Sequence, residues 1–223
     1  MAHAVLGIMA ESPPMSRPQC PRCQRPASHC LCPLIPSLPS RTRVLVLQHP
    51  SEVGHALNTA RLAALGLENA ELRVGEQFPG LAAELADPRH DARLLFPGDE
   101  AVSLAEVAGS AGRPLLVVVP DGTWRKARKL LHSNPALAAL PRVTLPAGGI
   151  SRYRLRKAPA PGALSTIEAI AQALDLLEAP ARFDALLKPF EALIDGQIAA
   201  MGEETFQRNH GRPQPDSPSR EKP

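Results

Sequence analysis

Residues 115–131 read LLVVVPDGTWRKARKLL and place one carboxylate, Asp121, and the only tryptophan, Trp124, between an apolar run and a basic run. In α/β proteins the residues that carry chemistry stand at the carboxyl ends of buried strands. A carboxylate there can serve as a general base. The residue types alone favour a simpler role, in which Asp121 or Thr123 caps the following helix and Trp124 packs in the core.

Basic residues follow this candidate site. Residues 121–157 contain nine lysines and arginines against one acid, a net charge of +8, whereas the whole chain carries +3. The charges form a stripe at helical spacing and an alternating row around Tyr153: Arg125, Arg128, Lys129 and His132, then Arg152, Arg154 and Arg156. This concentration predicts a polyanionic partner, most simply a nucleic acid; a solvated helix face and a charge-protected edge strand are the alternatives.

All four cysteines lie within 13 residues in the pattern C-x2-C-x6-C-x-C: Cys20, Cys23, Cys30 and Cys32. In a reducing compartment one tetrahedral metal explains such a cluster better than two disulfides do. Four thiolates suit a structural zinc ion, and a closed four-thiolate site leaves no position for a catalytic water. Disulfides, free thiols and an iron–sulfur cluster are the other possibilities.

The elements that position these residues follow from hydrophobic periodicity. Strands are predicted at residues 43–48, 70–74, 92–96, 115–119 and 142–145, several of them apolar without alternation and so covered on both faces. Helices are predicted at residues 55–65 and 124–132, from a capping box at Ser165, and after Pro180. Pro120 is expected to end its strand. The pattern indicates an α/β fold with a mostly parallel sheet and helices on both faces.

Polar residues also follow the first predicted strand, at Gln48, Glu52 and Asn58. A second strand-to-helix junction of this kind fits a ligand pocket.

Composition divides the chain into four parts. We expect a disordered N-terminus (1–19), a Cys/Pro-rich module (20–40), a main domain (41–206) and a disordered polar tail (207–223). No run approaches the ~20 apolar residues that cross a bilayer, and no basic residue precedes the short apolar start as in a signal peptide. A cytoplasmic protein without membrane contact is expected, and the oligomeric state stays open.

Four motifs occur here in the order known from one family: the cysteine module, LQHPSE with Asn58 and Thr59, PDGTW with its basic helix, and YRLRKAPAPGALSTIEA. In this order they resemble the DTW-domain proteins, which are similar to SPOUT-type RNA-modifying enzymes. The resemblance runs from about Cys20 to Phe206. It implies a SPOUT-like parallel sheet with a trefoil knot that holds the cofactor, an exception to the usual absence of knots.

The resemblance also implies a function, that of a tRNA-uridine aminocarboxypropyltransferase. Such an enzyme transfers the 3-amino-3-carboxypropyl group of S-adenosyl-L-methionine to N3 of a uridine, U47 in the variable loop of bacterial tRNA, and releases 5′-methylthioadenosine. The alternatives are a SPOUT-type RNA methyltransferase and a non-catalytic zinc-containing RNA-binding protein.

Site residues follow from the resemblance by position. The D-x-T-W motif falls on Asp121, Thr123 and Trp124, so Asp121 is now expected to be a base rather than a cap. Cofactor contacts are expected, by analogy, in three loops: Pro120, Gly122, Leu145, Pro146, Leu164, Ser165 and Thr166. Contacts to tRNA are expected from the basic groups: Arg125, Arg128, Lys129, Arg152, Tyr153, Arg154 and Arg156.

Overall fold

The computed structural model describes residues 18–110, 112–146, 148, 151–155 and 163–210. Its strands are β1 (Arg43–Gln48), β2 (Ala70–Val74), β3 (Asp91–Leu95), β4 (Val102–Ser103), β5 (Leu115–Asp121) and β6 (Arg142–Thr144). They form one sheet in the order β2-β1-β5-β3-β6-β4, and every pairing is parallel. The predicted parallel sheet is confirmed, and the structure adds β4, a two-residue edge strand too short to leave a sequence pattern.

Helices cover both faces of this sheet. They are α1 (Ala60–Gly66), α2 (Leu81–Leu85), α3 (Leu104–Ser110), α4 (Trp124–Ser133), α5 (Pro135–Ala138), α6 (Thr166–Leu177), α7 (Lys188–Met201) and α8 (Glu203–His210). Alternate residues of β1 and β5 enter two separate cores, because successive side chains of a strand point to opposite faces. The larger core includes residues of α1, α3, α6 and α7, and the smaller core includes residues of α2, α4 and α5.

Strand β5 runs further than expected, through Pro120 to Asp121, where Gln48 of β1 is still its partner. The His49 N–H donates to the Asp121 carbonyl at 3.1 Å. Because hydrogen-bonding groups of successive residues in a strand point to alternate sides, the backbone of Pro120 points towards the other neighbour, β3. The pairing of β3 with β5 ends at Val118, before Pro120. The expectation that Pro120 ends the strand is wrong because the proline lies where no ladder hydrogen bond is needed.

The cysteine module packs directly on the larger core. Cys23 and Ile35 are buried there together with residues of α1 and α6. A bridge between Leu38 and Leu67 ties the end of the module to the segment after α1.

Residues 207–210, which were expected to belong to the polar tail, are helical, because α8 continues to His210. Phe206 packs on the larger core and stacks on His210, and Gln207 donates to Glu203 one turn earlier. Residues 1–17 and 211–223 lie outside the described residues, as do Arg156 and parts of the connection between β6 and α6, so the knot stays a prediction. Within the described ranges, no helix has the length and apolar character needed to cross a membrane.

Candidate active site

Two adjoining cavities lie at the carboxyl edge of the sheet. The first, called the polar cavity, has a volume of about 300 Å³ and is lined by Glu52, Asn58, Thr59, Asp121, Tyr153 and Thr166 among others. The second, called the apolar cavity, has about 150 Å³ and is lined by Leu95, Phe96, Pro120, Trp124 and Leu164 among others. Both cavities share Gly122, Ser165 and Thr166, so they meet where β5, α4 and α6 converge.

Asp121 is the buried carboxylate at this junction, with 8% of its surface exposed. Its Oδ2 accepts a hydrogen bond from Gln48 Nε2 at 2.8 Å, and its Oδ1 accepts one from the Thr166 hydroxyl. Burial raises the pKa of Asp121; the bonds from Thr166 and Gln48 oppose that shift, and the nearby charge of Glu52 adds to it. A carboxylate with a raised pKa is a stronger base than an exposed aspartate.

The turn after β5 separates the roles of Asp121 and Thr123. Thr123 is the N-cap of α4, since its side chain accepts a hydrogen bond from the Lys126 N–H at 3.4 Å. Asp121 caps nothing, so the interpretation of Asp121 as the helix cap is wrong. Between them Gly122 has φ +148°, and an added Cβ would meet the Lys126 Cβ at 3.0 Å, so this turn requires glycine.

Trp124 is not a core residue, because 43% of its surface is exposed. Its ring contacts Phe96 edge-on, with centroids 5.5 Å apart, and forms one wall of the apolar cavity. The expectation of core packing is wrong, and the exposed ring is placed to contact a ligand.

The segment after β1 forms the opposite wall of the polar cavity. Helix α1 begins at Ala60 rather than at residue 55, because Asn58 folds the preceding segment back. Asn58 Nδ2 donates to the Glu52 carbonyl at 3.0 Å, and Asn58 Oδ1 accepts from the Ala60 N–H at 3.0 Å. Glu52 is paired in turn with Lys126 of α4 at 2.7 Å. Of the polar residues noted near the end of the first strand, Glu52 and Asn58 line this pocket, whereas Gln48 is fully buried and contacts Asp121.

Glu168, with 2% of its surface exposed, joins two loops of the site. Its carboxylate accepts bonds from the N–H and hydroxyl of Ser165 at 2.8 and 2.6 Å, which completes the predicted capping box. It also accepts from the Ser151 hydroxyl at 3.0 Å and the Arg152 N–H at 2.6 Å. Sequence reasoning found the capping box but missed this contact, for which the sequence carries no local signal.

The residues proposed for the cofactor divide into two groups. Five of them line the apolar cavity: Pro120, Gly122, Leu164, Ser165 and Thr166. Leu145 packs against the larger core, and neither Leu145 nor Pro146 lines either cavity.

The basic groups are exposed but differ in their partners. Arg125 and Arg128 of α4 form no ion pair with any described residue, whereas Lys129 pairs with Glu76 at 2.7 Å. Arg152 pairs with Glu191 of α7 at 2.5 Å, and Arg154 pairs with Asp195. Tyr153 points inward between them and meets Phe190 edge-on, with centroids 5.5 Å apart. The expected alternation of outward arginines and inward Tyr153 is therefore present up to Leu155.

The four cysteines lie together in one cluster. Their sulfur atoms are all within 4.8 Å of one another, with 3.6 Å between Cys20 and Cys32 and 3.8 Å between Cys23 and Cys30. These separations exceed a disulfide bond and match the sulfur–sulfur distance of about 3.8 Å in a tetrahedron with metal–sulfur bonds of ~2.3 Å. The backbone N–H groups of Cys23 and Arg22 lower the pKa of the Cys20 thiol to about 6. The cluster can bind a metal ion.

A buried carboxylate of raised pKa, placed beside two cavities at the carboxyl edge of a parallel sheet, is the arrangement typical of active sites in α/β enzymes. The chain belongs to the DTW domain family, which matches residues 17–198. It is 37% identical over 227 residues to the tRNA-uridine aminocarboxypropyltransferase 2 of Drosophila melanogaster, covering 95% of this chain and 89% of the fly protein.

More distant relatives carry similar names. The tRNA-uridine aminocarboxypropyltransferase 2 of Mus musculus is 34% identical over 191 residues, covering 82% of this chain and 64% of the mouse protein. The tRNA-uridine aminocarboxypropyltransferase A of Arabidopsis thaliana is 30% identical over 190 residues, covering 71% of this chain and 72% of the plant protein. The chain thus spans most of the fly relative but just under two thirds of the mouse one.

Proposed function

We propose that the protein transfers the 3-amino-3-carboxypropyl group of S-adenosyl-L-methionine to N3 of a uridine in tRNA, at position 47, and releases 5′-methylthioadenosine. The observation that carries this proposal is Asp121, a buried carboxylate of raised pKa at the junction of the two cavities. The names of the family relatives supply the reaction and the substrate class.

The reaction requires a base and no acid. N3 of neutral uridine carries a proton, and Asp121 takes that proton as the nitrogen forms a bond to the carbon beside the sulfonium. The carbon–sulfur bond breaks and its electron pair returns to sulfur, so the leaving group is a neutral thioether. The two cavities align the nitrogen with the carbon, and such alignment supplies much of the rate.

The two cavities suit the two substrates differently. The apolar cavity, with the exposed face of Trp124 and the side chains of Phe96 and Leu164, fits the adenine ring and the methylthio group. The polar cavity, which contains Asp121, Asn58 and Tyr153, fits the uridine.

The basic surface then holds the tRNA backbone. Arg125 and Arg128 project from α4, which begins at Trp124, and are available for phosphate contacts. Arg152 and Arg154 exchange their carboxylate partners on α7 for phosphates when tRNA binds. Binding of this kind weakens steeply with added salt, because counterions are released from the nucleic acid.

The metal in the cysteine cluster is proposed to be a structural zinc ion, since zinc takes four thiolates without changing its redox state. It would stabilise the module that packs on the larger core. Four reduced thiols and a tRNA substrate fit a cytoplasmic location.

Labelled co-substrate tests the reaction. With S-adenosyl-L-methionine labelled in its carboxyl carbon, tRNA should gain label on uridine, and with methyl-labelled material it should gain none. tRNA that gains methyl label alone would show that the protein is a methyltransferase. Mass spectrometry of nucleosides from the treated tRNA identifies the modified base and its position.

The variant Asp121→Asn tests the base. We expect transfer to fall about 10²- to 10⁴-fold with tRNA binding retained, because general bases contribute factors of that size. Asp87→Asn, an acidic residue before β3 at the opposite edge of the sheet, is the matched control and should keep full activity. A non-catalytic RNA-binding protein would bind tRNA and give no product even as wild type.

A further inference from the structure

A third cavity, of about 320 Å³, lies between the cysteine module and the segment before α1. It is called the module cavity. The module contributes Gln24 and Arg25 to it, Gln19 lies immediately before the module, and α1 contributes Arg61. His55 and Asn58 line both the module cavity and the polar cavity. The module cavity therefore adjoins the polar cavity.

The lining of the module cavity is cationic and has free hydrogen-bonding groups. Two arginines and no carboxylate line it. Within the described ranges, the Arg61 guanidinium has no hydrogen-bond or ion-pair partner, and neither do the side-chain amides of Gln19 and Gln24. A guanidinium of this kind binds phosphate, and the two amides can each donate to and accept from the edge of a base.

Gln24 also has an unusual backbone conformation. Its φ of +56° makes it the single non-glycine residue with positive φ among those described. Glycine adopts this conformation freely, whereas residues with a Cβ rarely do, so a side chain retained here at a cost points to a use for that side chain. The Gln24 side chain is exposed at the cavity.

Arg25 holds the wall between the cavities in place. Its Nη1 donates to the Ala56 carbonyl at 2.8 Å and its Nη2 to the Asn58 carbonyl at 3.0 Å. The Arg25 carbonyl accepts from the Cys20 N–H at 2.8 Å, so the same residue also closes the turn that contains Cys20 and Cys23. The module cavity is therefore formed before RNA arrives, which reduces the entropy cost of binding.

We propose that the module cavity binds the tRNA nucleotide next to the target uridine. Arg61 contacts its phosphate, Gln19 and Gln24 contact the edge of its base, and Pro26 packs against the base face. Single-stranded RNA loops are recognised in this way, through bases that turn out of the stack. The cysteine module thus takes part in substrate recognition as well as in stability. This inference rests on the proposed tRNA substrate.

Two variants test the module cavity. Arg61→Ala should raise the Kd for tRNA about tenfold and lower the slope of log Kd against log salt by about 1, as expected for one lost phosphate contact. Gln24→Gly should keep or raise the unfolding temperature, because glycine adopts this backbone conformation without the cost of a Cβ, and yet raise Kd several-fold. In both variants the effect on transfer should fall on the KM for tRNA rather than on kcat. Arg113→Ala, which removes the same charge before β5 at the opposite edge of the sheet, should bind tRNA like the wild type.

Crosslinking locates the nucleotide directly. Synthetic tRNA with 4-thiouridine beside position 47 should crosslink to peptides that contain Gln24 or Arg61. Crosslinks confined to other parts of the protein, or wild-type binding by both variants, would overturn this inference. Absence of any transfer by the wild-type protein would instead contradict the proposed function, so the two failures can be told apart.

Discussion

Gln48 and Asp121 end neighbouring strands in register, and Gln48 Nε2 donates to Asp121 Oδ2 at 2.8 Å with both side chains buried. This bond favours the ionised carboxylate, whereas burial favours the protonated form, and burial is the larger effect on the Asp121 pKa. Glu52 raises that pKa and is itself paired with Lys126, and the ionisable side chains of His55 and Tyr153 also line the polar cavity.

Replacing the donor should therefore move the pH dependence of the enzyme. Gln48→Met fills similar space without the N–H, so the pKa of Asp121 should rise further and the acidic limb of kcat/KM should shift to higher pH. The variant also removes Gln48 Oε1, a buried atom without a hydrogen-bond partner among the described residues, but it leaves Asp121 Oδ2 without its donor, so a loss of ~1–3 kcal/mol in urea unfolding is expected. Gln77→Met, at an exposed position, is the control. An acidic limb that stays in place would show that this bond does not tune the base.

The raised pKa of Asp121 also predicts how stability depends on pH. Burial raises the folded-state pKa of Asp121 above its ordinary value of 3.8, because the protonated side chain is less costly to bury than the charged one. The stability that the protonated form contributes is fully present below pH 3.8 and is lost as pH rises through the folded-state pKa. Asparagine has no such dependence. The unfolding free energy of Asp121→Asn, relative to the wild type, should therefore increase as pH rises above about 4 and level off once the pH exceeds the folded-state pKa. Urea titrations at several pH values measure this difference, and a difference that falls as pH rises would contradict the sign.

Trp124 offers a direct probe of the apolar cavity. Because the buried part of the ring packs against Phe96, Trp124→Ala should cost ~1–3 kcal/mol of stability. Loss of a stacking surface should weaken binding of the co-substrate about 10- to 100-fold. In the wild type, 5′-methylthioadenosine should change the fluorescence of this residue, the only tryptophan in the chain. Trp124→Phe should keep most of the affinity, and fluorescence that does not respond to the ligand would place the adenosine elsewhere.

Glu168 should be important for stability as well as for activity. Glu168→Gln replaces one carboxylate oxygen by an NH₂ group that faces donors, so buried donors on Ser151 or Ser165 lose their acceptor. We expect a loss of ~2–3 kcal/mol in urea unfolding together with reduced transfer. Glu191→Gln breaks an exposed pair with Arg152 and should cost less than ~1 kcal/mol. Equal losses in both variants would show that burial of Glu168 adds nothing.

Elemental analysis tests the cysteine cluster. The purified protein should hold one zinc per chain, and Cys20→Ser combined with Cys23→Ser should abolish it and lower the unfolding temperature, since Cys23 is buried in the larger core. Ser28→Ala, an exposed substitution in the same module, should keep the zinc. A fully folded protein without metal would contradict the proposal.

The sequence predicted the sheet and the position of Asp121 because both depend on a local pattern, an apolar run that ends in a polar residue. It did not predict that Trp124 is exposed, because helical periodicity places a residue on a face without showing how far the opposing sheet extends. The bond between Glu168 and Ser151 and the bond between Arg25 and Ala56 were also missed. They join segments that are far apart in the chain, and their partners are backbone groups or hydroxyls with no distinctive local pattern.

The position of β5 between β1 and β3 has a consequence for folding. Gln48 and Asp121 are 73 residues apart in the chain, and Thr166 lies 45 residues beyond Asp121. Contacts of such long range slow folding, because loop entropy is lost before the contacts compensate for it. During synthesis from the N-terminus, the first half of the chain emerges with β1 lacking its neighbour β5. The aspartate therefore gains its two hydrogen-bond donors only once α6 has docked, so a truncated or partly folded chain has no assembled base.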